Sequence, residues 1–126
     1  SALSAIAELQ LDQAGFTYHD SRDLIGFVDG TANPKPDARH EVALIPQGKT
    51  GEGGSIVITQ KWVHKLSKFN AMPVTEQESV VGRTKVEDVE LEGDAMPHNS
   101  HVSRTDVKVN GEGMKIYRRS APYGNS

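Results

Sequence analysis

The chain has 126 residues, 14 Lys and Arg against 17 Asp and Glu, a formal net charge of −3 and 36% hydrophobic residues. That length suits one small domain burying about two-thirds of its unfolded surface, and an acidic balance without a dense Lys/Arg block argues against nucleic acid or an anionic membrane as partner. The absence of cysteine rules out disulfides, thiolate nucleophiles and cysteine zinc sites and suits a cytoplasmic location, and no apolar run approaches the ~20 residues that cross a bilayer.

Ala2 to Leu9 is rich in helix formers, with Leu3, Ile6 and Leu9 sharing a face, and reads as the end of a helix. Gly15 breaks that pattern, and Phe16-Thr17-Tyr18 leads into the polar turn His19-Asp20-Ser21-Arg22. The apolar run Leu24 to Val28 reads as a buried strand or extended segment, delivering Asp29 at its end against Gly30. From Asn33 to Gly54 prolines and glycines punctuate the chain, so mostly loop is expected, with one short strand at best at Val42-Ala43-Leu44-Ile45.

Ser55 to Val63 is dense in β-branched and aromatic residues and is the best strand candidate, its unbroken apolar start predicting a central position buried on both faces. Leu66 and Phe69 fit a short helix. Thr75-Glu76-Gln77-Glu78 has the form of a capping box, predicting a helix that stops near Gly82. The acidic stretch from Gly82 to Pro97 reads as surface loop. Thr105 to Val109 and Met114 to Arg118 flank Asn110-Gly111-Glu112-Gly113, a hairpin signal that also allows a longer loop with a bulge. With Val109 opposite Gly113 or Met114, counting back puts Arg118 near Arg104 or Thr105, a few residues from His101. Strands with interspersed helices predict an α+β layer.

Candidate chemistry is sparse on residue type alone. Asp29 suits either a turn cap through Gly30-Thr31 or a partly buried acid. Arg118 and Arg119 compete, since strand alternation turns only one of them to any given face. His19, His40, His64 and His98 form no HExxH helix. His98 lies three before His101 and, with Asp94, outlines a conceivable mononuclear metal site that competes with a plain solvated loop. Trp62, Tyr117 and Tyr123 are read as packing. The chain holds no nucleophile elbow, Walker loop or dinucleotide fingerprint.

Three motifs in order carry a resemblance. Gly26-Phe27-Val28-Asp29-Gly30-Thr31, followed by Asn33-Pro34, resembles the glycine-x-x-aspartate-glycine signature of the dye-decolourising peroxidases, a family of haem enzymes. Asn99-Ser100-His101-Val102-Ser103-Arg104 resembles that family's proximal histidine segment, and Tyr117-Arg118-Arg119-Ser120-Ala121-Pro122-Tyr123-Gly124 its distal arginine segment, closest to the bacterial, YfeX-like subgroup. The resemblance implies an α+β, ferredoxin-like C-terminal half, with residues 1–126 forming a partial C-terminal domain whose antiparallel sheet is incomplete.

It further implies haem b as cofactor, with His101 as the axial ligand of the iron. Asp29 and Arg118 are then the distal acid–base and charge-stabilising groups, and Ser120, standing where many relatives place asparagine, a further contact on that side. Hydrogen peroxide and a small organic donor, such as a dye or phenol, are the implied substrates, and a homo-oligomer the implied assembly. Two rivals stand beside this reading: a haem-binding or iron-handling protein with little peroxidase turnover, and a ferredoxin-like dimerisation domain without cofactor.

Overall fold

The computed structural model describes residues 3–114 and 116–123. Ala2, Lys115 and Gly124, which belong to the predicted N-terminal helix, the second hairpin strand and the arginine motif, lie outside them. Four short helices, α1 (Arg39–Ala43), α2 (Leu66–Asn70), α3 (Val74–Val81) and α4 (His101–Thr105), precede one hairpin of β1 (Lys108–Val109) and β2 (Glu112–Gly113).

Packing centres on the loop before Asp29. Phe27, 3% exposed, meets Phe69 of α2 edge-to-face with ring centroids 6.3 Å apart. The Lys85 ammonium lies 5.6 Å from the centroid of the Phe27 ring and donates to Gln77 Oε1 at 2.6 Å, while Gln77 Nε2 donates to the Met72 carbonyl at 2.9 Å. Arg22 closes the loop from the other side, its Nη1 donating to the carbonyls of Gly26 at 2.9 Å and Lys85 at 2.7 Å.

Little else is buried: among the described residues Phe27 and Val81 are the buried large hydrophobics, with Gln77 and Ser100 as buried polar residues and Gly82 and Pro122 buried as well. The chain exposes 10527 Å², against about 6,600 Å² expected for a self-contained globule of this mass. Much apolar surface is therefore left uncovered.

That openness explains where the fold departs from expectation. Ser55 to Val63 pairs with nothing among the described residues, and Ile56, Val57 and Ile58 are 83%, 78% and 81% exposed, the reverse of a central strand. A strand needs a neighbour for its backbone groups, and none is supplied. Leu3, Ile6 and Leu9 are likewise exposed, and a turn, with Ala7 N–H donating to the Leu3 carbonyl, forms there in place of a helix, as expected of so short a segment. Leu24 to Val28 is not a continuous strand. It bends at Gly26 (φ 85°), where the Asp23 carboxylate accepts from the backbone N–H of Ile25 and Phe27. The Val42-Ala43 island ends a helix, α1, instead of forming a strand.

The capping-box reading places the start of α3 slightly late. Its N-cap is Pro73, Thr75 lies inside the helix, and the Glu78 carboxylate accepts from the Lys85 N–H at 2.8 Å instead of reaching back. The stop at Gly82 is as expected, in the left-handed region at φ 93°. The acidic loop beyond is more ordered than its pattern suggests. Arg83, with its side chain 13% exposed, pairs with Asp88 at 2.8 Å and Glu90 at 3.0 Å. The hairpin turns on Asn110 and Gly111 with positive φ at both, pairing Val109 with Glu112, one residue tighter than counted.

Candidate active site

Two segments about 90 residues apart meet to form a polar cleft of about 250 Å³ lined by Thr17, Ser21, Arg22, Asp29, Arg119, Ser120 and Pro122. A second depression, about 300 Å³, lies over Ile25, Phe69 and Met72 with His64, Lys65 and Lys68 at its rim, and has no acid–base pair to offer. Of these two depressions, only the polar cleft sets a carboxylate residue beside a guanidinium.

Asp29 is held there by its backbone and its carboxylate. Its N–H donates to the Ser21 carbonyl at 2.8 Å, where Arg22 and Val28 form an antiparallel bridge. Its Oδ2 accepts from the Ser120 N–H at 2.9 Å, and its carbonyl accepts from Arg119 Nη1 at 2.9 Å. Gly30 (φ 82°) is required directly after it, because a Cβ there would collide with the Arg119 guanidinium and stand 2.9 Å from Asn33 Nδ2. Thr31 Oγ1 donates to Asp88 Oδ2, which ties the loop to the Arg83 ion-pair cluster.

The two arginines part company. Arg119, set aside in favour of its neighbour by the family pattern, is the guanidinium beside Asp29, whereas Arg118 Nη2 reaches the Thr105 carbonyl at the end of α4, at 3.3 Å. The expected approach of Arg118 to Thr105 is thus made by its side chain. Its peptide is held by Asn33, whose Nδ2 donates to the Arg118 carbonyl at 2.6 Å and whose Oδ1 accepts from the Arg118 N–H at 3.0 Å. Neither Asn33 nor Arg119 is given a site role by the sequence, Arg119 standing there only as the rival of Arg118. The only hint of the first was an Asn-Pro step closing the motif.

His101 opens α4 and is exposed. It is placed by Ser100, 1% exposed, whose hydroxyl accepts from the Ser103 N–H at 3.2 Å as N-cap and donates to Met96 Sδ at 3.1 Å. Close packing against Gly82 seats this corner, since a Cβ on Gly82 would lie 2.9 Å from both Ser100 Oγ and Val102 Cβ. The structure therefore brings Asp29, Arg119 and Ser120 into one cleft and turns Arg118 towards the helix that carries His101. His101 itself lies outside the cleft lining. No group of three His, Asp or Glu side chains suited to a metal ion occurs among the described residues, so the Asp94/His98/His101 site does not assemble.

Beside the cleft, Asp23 has its carboxyl pushed above the ordinary value of 3.8, chiefly by burial. The hydrogen bonds from Phe27 and Ile25 pull the other way, the nearby Asp29 adds to the rise and His64 opposes it.

The Asp29 loop and the arginine segment both lie within a stretch shared with known proteins. Residues 20–126 match the family described as Dyp-type peroxidase, C-terminal, and the chain belongs to that family. It is 42% identical over 113 residues to a dye-decolorizing peroxidase of Rhodococcus erythropolis, covering 88% of this chain and 33% of that protein. It is also 42% identical over 112 residues to one from Mycobacterium tuberculosis, covering 87% and 33%. Among solved structures it superposes on DyPB from Rhodococcus jostii with a TM-score of 0.88 at 44% identity, over 98% of this chain and 40% of that one. A putative Dyp-type peroxidase from Shewanella oneidensis gives 0.87 at 43%, over 98% and 41%. Variants of the R. jostii enzyme were solved in complex with haem. These neighbours bear out the α+β, ferredoxin-like C-terminal half. The chain spans about a third of the length of the curated relatives it matches.

Proposed function

We propose that this chain supplies the peroxide-handling side and the axial histidine of a haem peroxidase that reduces hydrogen peroxide at the expense of a small organic donor. The observation that carries this reading is the closure of the Asp29 loop onto the Arg118-Arg119-Ser120 segment by hydrogen bonds spanning 85 to 91 residues. Such a juxtaposition sets a carboxylate and two permanent cations on one edge of the fold, with His101 on the helix that Arg118 touches.

The residues present fit haem in kind. An exposed imidazole is free to approach a metal from α4, and the cleft offers proton-transfer and anion-stabilising groups. Haem bound between them would supply the two-electron oxidising capacity that amino acids lack. Asp29 would take a proton from one peroxide oxygen and return it to the other, its carboxylate kept in place by the Ser120 N–H. Arg118 would stabilise negative charge on the departing oxygen, and Ser120 would contribute a hydroxyl on the same side. The excess exposed surface supports a longer polypeptide, of the relatives' size, as the form that encloses the cofactor.

The YfeX-like subgroup is proposed on the resemblance of the three motifs together, and a homo-oligomer on the exposed apolar surface. Steady-state oxidation of a dye by peroxide, measured beside a haem titration of the longer protein, tests the function. Turnover lost in Arg118→Leu supports it, whereas full haem binding with no turnover in the parent protein favours the haem-handling alternative.

A further inference from the structure

The Arg118 peptide has one partner for both of its polar groups, and that partner is a side chain. Among the described residues nothing but Asn33 hydrogen-bonds the Arg118 N–H, at 3.0 Å, or its carbonyl, at 2.6 Å. A carboxamide carries one acceptor and one donor side by side, as a strand residue does in its peptide groups, so Asn33 acts as a one-residue substitute for a neighbouring strand. Its own place is fixed by the turn in which its N–H donates to the Gly30 carbonyl at 3.1 Å, and by Pro34 immediately after it.

The grip sits where the two arginines diverge. With the Arg118 N–H and carbonyl both held by Asn33, the two neighbouring guanidinium groups go to different partners, Arg119 to the Asp29 carbonyl and Arg118 to the Thr105 carbonyl. We propose that Asn33 is a positioning residue for Arg118, gripping its N–H and carbonyl so that the guanidinium is held at the Thr105 carbonyl instead of swinging freely. The catalytic consequence rests on the role given to Arg118 under the proposed function. The grip itself does not.

Chemistry limits what can replace it. Alanine removes both bonds. Aspartate keeps an acceptor for the Arg118 N–H but sets a carboxylate oxygen against the Arg118 carbonyl, so it is expected to lose most of the effect without emptying the site.

The test uses two readouts. In this chain without haem, amide hydrogen exchange at residue 118 is compared for the parent, Asn33→Ala, Asn33→Asp and Arg118→Leu. In the longer haem-loaded protein, the second-order rate with hydrogen peroxide is measured for the same variants and for Asn33→Ala combined with Arg118→Leu. We expect exchange at 118 to rise about tenfold in Asn33→Ala, less in Asn33→Asp, and not in Arg118→Leu. We also expect the peroxide rate to fall about tenfold in Asn33→Ala, with no further fall when that change is added to Arg118→Leu, the mark of two residues acting through one. Unchanged exchange in Asn33→Ala overturns the inference whatever the enzyme does. Raised exchange with the same additional loss in the Arg118→Leu background overturns positioning through Arg118. A peroxide rate unaffected by Arg118→Leu overturns the proposed role of Arg118, and with it the catalytic consequence, while the exchange result still decides the grip.

Discussion

The Asp29 carboxylate accepts a hydrogen bond from the backbone N–H of Ser120, 2.9 Å away and 91 positions later in the chain. One oxygen of the acid thus anchors the arginine segment, and on the proposed function the carboxylate would also move the peroxide proton. Asn at this position preserves an oxygen for Ser120 and removes the acid; Ala removes both. We expect Asp29→Asn and Asp29→Ala to slow the reaction of the haem-loaded protein with peroxide roughly 10²-fold. Only Asp29→Ala should also raise amide exchange at Ser120. Stopped-flow traces that match the parent in both variants would remove Asp29 from proton transfer.

Gly82 is where α3 hands the chain to the corner that carries His101. Its positive φ alone costs an L-residue about 1–2 kcal/mol, and the contacts at 2.9 Å leave no room for a methyl group. Gly82→Ala should therefore destabilise by more than that backbone cost, and Ser100→Ala by about 1 kcal/mol through the lost cap. Denaturant midpoints check both. A neutral Gly82→Ala would show that α3 and α4 do not pack as described.

Burial holds the Asp23 carboxyl above its ordinary 3.8, so the folded chain binds this proton more tightly than the unfolded one. The sign follows from linkage: stability falls as pH rises through the interval from 3.8 to the raised folded value, and the penalty persists above it. An asparagine there keeps an oxygen for the Ile25 and Phe27 N–H groups and carries no charge. Asp23→Asn should accordingly be more stable than the parent near neutrality and lose that advantage below the ordinary carboxyl pKa. Urea unfolding across that pH range decides it, and an advantage as large in acid as at neutrality would contradict the burial account.

Ile56 and Ile58 stand over four-fifths exposed in a segment without a partner strand. In this chain, Ile56→Thr and Ile58→Thr should shift stability by no more than about 0.5 kcal/mol and reduce self-association. In the longer protein the same changes should destabilise by about 1 kcal/mol or more each, the ordinary cost of removing a buried apolar group. Equal, negligible effects in both would show that nothing covers this segment.

What could be read in the residues was local. The Asn110-Gly111 turn, the stop at Gly82 and the helix around Leu66 and Phe69 each depend on a few neighbouring positions, and each is present. Ser55 to Val63 went the other way, since its β-branched density says that a strand is favourable only once a partner exists. The bend at Gly26 was hidden because the Asp23 carboxylate, two and four residues away, supplies hydrogen bonds that an apolar pattern does not reveal. In the cleft, the motifs pointed to Asp29 and to a neighbouring pair of arginines. The Arg118 peptide is held by Asn33, 85 positions distant, and periodicity carries no trace of that contact.

On the proposed function His101 of α4 would hold the haem iron, and Asp29 and Arg118 would serve the peroxide. The direct measurement is an absorbance titration of the longer protein with hemin, in the parent and in His101→Ala, with this 126-residue chain beside them. We expect a stoichiometric Soret band in the parent, a shifted and weakened one in His101→Ala, and weak uptake by the short chain. An unaltered spectrum and affinity in His101→Ala would contradict the assignment.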